Sequence, residues 1–229
     1  MPDIKANLKS IRQRISSAAQ KSGRKSEDVK LIAATKTIPV ELIEQAIQAG
    51  ITDIGENKVQ EAIPKIAALR QKYSLVRWHM VGHLQRNKAR QAVENFDLIQ
   101  SVDSERLGRE IEAQAQAQVP ILIEVNTSGE MSKFGVAPEL TVELLTLISK
   151  FRNIRVQGLM TIGLFTNDLE KVRPCFVKLR NLSEKIKNLN LPNVEMKYLS
   201  MGMTDDFEVA VAEGSNMVRI GRAIFGKRS

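Results

Sequence analysis

A chain of 229 residues is long enough for one well-buried domain, and 43% hydrophobic with 26% charged residues is an ordinary globular balance that excludes disordered and fibrous classes. A single cysteine, Cys175, excludes an internal disulfide and any Cys-based zinc cluster and fits a reducing compartment. The net charge of +8 selects no nucleic-acid partner, because the basic residues are interleaved with acids and one Trp, two Tyr and seven Phe offer no stacking surface.

The opening Met1-Pro2-Asp3-Ile4-Lys5 leads into an amphipathic pattern without a continuous apolar core, so no signal peptide is read. No stretch is long and apolar enough to span a bilayer, and the expected location is cytoplasmic. From residue 3 to about 22, Ile4, Leu8, Ile11 and Ile15 recur at helical spacing between Lys5, Lys9, Arg12 and Arg14, which predicts a one-faced surface helix acting as a lid or a prelude. The apolar run 29–36 then predicts a strand ending at Lys36, and Leu42, Ile43, Ala46 and Ile47 pattern a helix that closes at Gly50. The same unit recurs with strands at 52–57, 77–82, 97–102, 120–126, 154–162, 194–201 and 217–221. Eight strand and helix units without a Pro/Gly/Ser-rich linker favour a closed parallel (β/α)₈ TIM barrel, one domain over 1–229, above an open doubly wound sheet.

In such a barrel the functional face lies where strands end. Lys36 stands there, and two readings are open: a pocket amine made nucleophilic by desolvation or a nearby cation, or a solvated lysine. Ser200-Met201-Gly202-Met203 after strand seven and Gly221-Arg222 after strand eight place glycine turns where this fold recurrently binds phosphate through backbone N–H groups. Tight turning alone is the other explanation of those glycines. Arg219, between Val218 and Ile220, needs an acceptor if it faces the interior; a pyridine nitrogen would serve, and a salt bridge in the helix shell is the alternative. Asn57 and His79 are read as pocket walls that hydrogen-bond a ligand, or as satisfied structural groups. His79 and His83 are not read as a metal pair, because a glycine intervenes and no carboxylate completes a motif. Ser128 and Lys133 mark a loop after strand five able to close over the site.

Ala34-Thr35-Lys36-Thr37, Gly55-Glu56-Asn57 with Gln60-Glu61, Trp78-His79 with Gly82-His83-Leu84-Gln85 and Asn87-Lys88, Gly158-Leu159-Met160, Leu199-Ser200-Met201-Gly202-Met203 with Asp206, and Val218-Arg219-Ile220-Gly221 carry a resemblance. Over nearly its whole length the chain resembles the YggS/PROSC-type pyridoxal phosphate homeostasis proteins, related in fold to the N-terminal barrel of alanine racemase. The resemblance implies pyridoxal 5'-phosphate (PLP) held as a Schiff base on Lys36, with Arg219 facing the pyridine nitrogen and Ser200, Gly202 and Gly221 helping to hold the phosphate. Relatives often carry a threonine or serine in place of Arg222, so Arg222 substitutes charge for that hydroxyl or offers only its backbone N–H.

The implied role is a non-catalytic PLP carrier that buffers the free cofactor, a monomer with no membrane partner, whose possible recipients are apo-PLP enzymes. A small PLP-dependent racemase is the enzyme alternative. A racemase needs a second acid/base, which alanine racemase takes from a second domain, and this chain ends shortly after strand eight; neither Tyr73 nor Tyr198 is placed to supply one. An adaptor drawing on the net charge is the third reading.

Overall fold

Each strand segment forms in the computed structural model, which describes residues 2–166 and 168–226; Met1 and 227–229, the two ends of the expected domain, and Asn167 lie outside the described residues. The opening helix α1 (Ile4–Lys21) is capped by the Asp3 side chain, which accepts from the Ala6 N–H. There follow β1 (Lys30–Ala34), α2 (Val40–Gln48), β2 (Asp53–Glu56), α3 (Val59–Leu69), β3 (Arg77–Met80), α4 (Ala89–Asn95), β4 (Leu98–Val102) and α5 (Glu105–Gln114). The second half runs β5 (Val119–Glu124), α6 (Thr141–Ile148), β6 (Ile154–Met160), α7 (Leu169–Lys187), β7 (Val194–Ser200), α8 (Phe207–Ala212), β8 (Met217–Ile220) and α9 (Arg222–Phe225). The eight strands pair in chain order, in parallel, and close when β1 pairs with β8. Among the described residues no helix is long and apolar enough to cross a membrane.

Two apolar layers follow from strand alternation. Odd-and-even facing puts residues such as Ala33, Ile54, Trp78 and Ile99 outward against the helices, where they form the main core. The opposite parity fills the barrel with Ile32, Leu98, Leu122, Met160, Tyr198 and Met217. Ladder partners share a face, and Ile32 pairs with both Asp53 and Arg219, so Asp53 and Arg219 also point inward. By the same alternation Lys36 continues the inward series Ile32, Ala34.

The lid reading of α1 gives way to a shell role. Its buried stripe Ile4, Leu8, Ile11 and Ile15 joins the main core, Arg14 pairs with Glu208 of α8, and Asn7 Nδ2 donates to Ile224 O of α9 at 2.9 Å. The reason is length: α9 has four residues, too few to cover the strand it follows, and α1 takes up that position.

Most strands stop one or two residues short of the expected ends, β1 at Ala34 instead of Lys36. Their last residues leave the ladder to build the mouth. In β6 the register shifts between Val156 and Gly158, and Gly158 has φ 146° with an added Cβ only 2.0 Å from Tyr198 O. Gly158→Ala is therefore expected to destabilise by about 2–5 kcal/mol through backbone strain and collision. Urea unfolding followed by the fluorescence of Trp78, the sole tryptophan, reads this directly.

Candidate functional site

Lys36 lies two residues beyond β1, half-buried, in a turn where Thr37 takes φ 62°. A β-branched residue in the left-handed region is strained, so surrounding structure must hold the turn. That structure is polar and buried. Thr35 Oγ1 donates to Glu56 Oε1 at 2.5 Å, and Lys65 Nζ from α3 donates to both Thr35 O and Glu56 Oε1 at 2.7 Å. Glu56 is fully buried and Lys65 nearly so, hence the ion pair and its shared hydrogen bonds lock the residue before Lys36 to β2 and α3. The last ladder pair, Ala34–Gly55, leaves Lys36 and Asn57 each just beyond neighbouring strand ends, and Asn57 is drawn close by Gly82, where a Cβ would stand 2.3 Å from Asn57 O.

Across the barrel Arg219 is buried, yet it carries a permanent charge that must be met. Its Nη1 donates to Ser200 Oγ at 2.6 Å and its Nη2 to Thr161 O at 2.8 Å. Burial pulls its pKa down to about 10, against the supporting charges of Glu124 and Asp206, so it remains a cation at neutral pH. Ser200 Oγ donates in turn to Gln100 Oε1 at 2.6 Å, Gln100 Nε2 meets His79 Nδ1 at 3.1 Å, and His79 Nε2 meets Asp53 Oδ1 at 3.0 Å. Both ring nitrogens of His79 are thus engaged by protein; it reaches the mouth through Gln100 and Ser200.

The two glycine turns sit against this cluster. Gly202 has φ 97°, a Cβ there would lie 2.6 Å from Ala210 Cβ, and its carbonyl accepts from Arg219 N at 3.0 Å. Asp206 Oδ1 accepts from Met203 N at 2.6 Å and holds the turn; burial pushes its carboxyl up, while Met203 N–H and Arg219 pull it down. At Gly221 a Cβ would stand 3.0 Å from Ala34 O, so the start of α9 lies against the end of β1, beside Lys36. Arg222 reaches back to pair with Asp205 of the first turn, which places a half-exposed cation between the two.

Glu124, at the end of β5, is buried with Oε2 unpartnered among the described residues, and its carboxyl is pushed up to about 7 by burial and by the charge of Asp103, against the pull of Arg219. Sequence reasoning passed over Glu124, Gln100, Asp53 and Lys65. The loop after β5 spans the rim: Ser128 Oγ donates to Asn126 Oδ1 at 3.0 Å, Lys133 Nζ to Gly163 O at 2.8 Å, and the Phe134 ring stacks on His83 at 3.8 Å. Among the described residues no cluster suits a metal ion.

The donor set fits a phosphorylated pyridine aldehyde: an inward-series lysine, glycine turns with room only for backbone, a rim cation, and a donor-only guanidinium below.

The model of the alanine racemase N-terminal domain matches residues 6–229. A Pasteurella multocida pyridoxal phosphate homeostasis protein is 41% identical over 98% of this chain and 97% of its own. Among solved structures, a Bifidobacterium adolescentis protein of unknown role superposes with TM-score 0.93 at 37% identity, covering 97% of this chain and 94% of its own. PipY of Synechococcus elongatus with PLP bound gives TM-score 0.84 at 31% identity over 98% of this chain and all of its own. Alanine racemase of Clostridium difficile, 17% identical with TM-score 0.74, shares the fold over 99% of this chain and 56% of its own.

Lys65→Met strands the Glu56 carboxylate and is expected to destabilise by about 3–5 kcal/mol in urea unfolding, most of it regained when Glu56→Gln is added. A second expectation concerns pH. With the carboxyl of Glu124 near 7 folded and 4.5 as its ordinary value, the folded state holds the extra proton between those limits, so stability falls as pH rises through them. Measured at pH 5 and pH 8, wild type should lose on the order of 2–3 kcal/mol relative to Glu124→Gln. An unchanged difference between the two would place the Glu124 proton elsewhere.

Proposed function

The chain belongs to the alanine racemase N-terminal domain family and, within it, to the pyridoxal phosphate homeostasis proteins, and on that premise we propose that it binds PLP as a Schiff base on Lys36 and maintains the supply of that cofactor without turnover. The observation that carries the reading is the placement of Lys36, on the inward series of β1 and against the Gly221 turn, at the same barrel face as buried Arg219. The PLP-bound PipY structure supports the cofactor, and the relatives named as homeostasis proteins support the role.

When bound, PLP supplies an aldehyde for the lysine amine and a ring that withdraws electrons in proportion to the protonation of its nitrogen. The remaining roles belong to the protein. The backbone N–H groups at Gly202 and Gly221 would hold the phosphate with the help of Ser200, whose hydroxyl also accepts from Arg219, and Arg222 would add charge at the rim. Arg219 would donate to the pyridine nitrogen and, still cationic at neutral pH, would not surrender a proton to it. Asn57 walls the mouth beside Lys36, and His79 supports from below.

Absence of turnover is supported by what surrounds the mouth. Tyr198 is buried inside the barrel and Tyr73 donates from its hydroxyl to Glu44 in the helix shell, so neither offers a base there. Glu124 favours the enzyme alternative, since a buried carboxyl near 7 is suited to proton transfer. Incubation with amino acids in deuterated water separates the two: no exchange at the α-carbon is expected, and exchange lost in Glu124→Gln would make the protein an enzyme. The proposal includes one domain, a monomer, a cytoplasmic location suited to the free, buried Cys175, and apo-PLP enzymes as recipients.

The direct test is the visible absorption spectrum of the purified protein beside Lys36→Ala, with borohydride reduction and peptide mapping. A cofactor band that Lys36→Ala loses, with reduced cofactor on the Lys36 peptide, is the expected result. A colourless wild type that added PLP does not restore would overturn it.

A further inference from the structure

The interior chain from Arg219 to Asp53 has fixed ends. Arg219 only donates, and Asp53, when ionised, only accepts. Burial opposes the Asp53 charge, but hydrogen bonds from His79 and Thr52, with the Lys30 cation nearby, hold the carboxyl well below the usual carboxylate range. With Asp53 ionised, His79 must donate from Nε2. A neutral imidazole then accepts at Nδ1, so Gln100 turns its amide nitrogen there and its oxygen to Ser200, which donates into it and accepts from Arg219. Each hydrogen in the wire is assigned by its two ends.

One added proton reverses it. If Nδ1 of His79 is protonated, the Gln100 amide must flip to offer its oxygen, and its nitrogen then donates to Ser200 Oγ. Ser200 would accept from Gln100 and Arg219 together, and its own hydrogen would be released from the wire. Ser200 lies two residues before Gly202. Asp53 and Thr52 line a cleft of about 390 Å³ with Lys30 at the N-terminal ends of β1 and β2. The charged groups around the imidazole are Asp53 from β2, Arg77 from its own strand with Nη2 3.3 Å from Asp53 Oδ1, and Lys30 from β1, with Arg219 and Glu124 farther along the wire.

We propose that His79 is a positioning residue that couples protonation at the closed end of the barrel to cofactor binding at its mouth, by turning Gln100 and so aiming the Ser200 hydroxyl either into the wire or toward the phosphate. The inference rests on the PLP reading above. Ser200 donates to the phosphate when His79 is charged, so the protonated state binds PLP more tightly, and by linkage PLP makes His79 harder to deprotonate.

The chain has two histidines, so nitrogen-15 spectra of the imidazoles need one control, His83→Gln, for assignment. In the PLP-free protein neutral His79 should carry its hydrogen on Nε2. Loading with PLP, followed by its visible band, should raise the His79 titration midpoint by about 0.7 pH unit, the equivalent of about 5-fold tighter binding to the protonated state. Equilibrium dialysis across the titration should give the same factor. Gln100→Leu cuts the wire at similar volume and should abolish the response of the midpoint to PLP; if it does not fold, Ser200→Ala cuts the next link. A hydrogen on Nδ1, a midpoint that ignores bound PLP, or a shift that survives the cut wire overturns the proposal. A missing band in wild type would instead sink the PLP reading, while the hydrogen placement in the PLP-free protein still decides the wire.

Discussion

The structure is organised around a charge that cannot be removed. Arg219 is a buried guanidinium with no neutral form to retreat to at neutral pH, and an unmatched charge there would destabilise the barrel by several kcal/mol. Much of the polar interior exists as its support: the Thr161 carbonyl, the Ser200 hydroxyl with Gln100, His79 and Asp53 behind it, and the fields of Glu124 and Asp206. The apolar centre made by Ile32, Leu98, Leu122, Met160, Tyr198 and Met217 supplies the low-dielectric surroundings in which those few hydrogen bonds hold firmly. A lysine in that position would hydrate more strongly and offer no planar fork to span two acceptors.

Close backbone approach is the second constraint, and it explains why glycines gather at the strand ends. A side chain at Gly82 would displace Asn57, and one at Gly221 would press on Ala34, so the loops that carry Asn57, Lys36 and Arg222 are drawn together by the absence of a Cβ. Rigidity then comes from the Thr35, Glu56 and Lys65 network, which tolerates the left-handed Thr37 beside Lys36. Precision at the mouth is achieved by buried polar bonds below it and missing side chains around it.

The barrel was legible because its strands are short apolar runs separated by helix patterns, and Lys36 because it terminates the first of them. The strand ends were not, since residues such as Lys36 and Asn57 leave the ladder to form the site and obey no periodicity. Gln100 was hidden for a different reason: in Leu98-Ile99-Gln100-Ser101-Val102 a lone amide reads as an outward residue, and only the register that pairs His79 with Leu98 turns it inward. Lys65 carried a signal that helical periodicity alone exposes. It falls on the apolar face with Ala62, Ile66 and Leu69, where a lysine requires a buried carboxylate.

On the proposed reading an arginine lies beneath the cofactor, and that choice bears on why such a barrel would hold PLP rather than use it. A carboxylate at the pyridine nitrogen would keep that nitrogen protonated and the ring a strong electron sink; a guanidinium donates its hydrogen bond and leaves the nitrogen unprotonated, so carbanion chemistry at an attached amino acid gains little. On the proposed reading, Arg219 therefore secures affinity and suppresses reactivity with the same contact. Alanine racemase shares the barrel over only 56% of its own chain, so the fold by itself commits this protein to no reaction. What would distinguish a carrier is a site that binds firmly and yields under a change of conditions, and the proposed interior wire, its direction set by one imidazole proton, would supply such a condition.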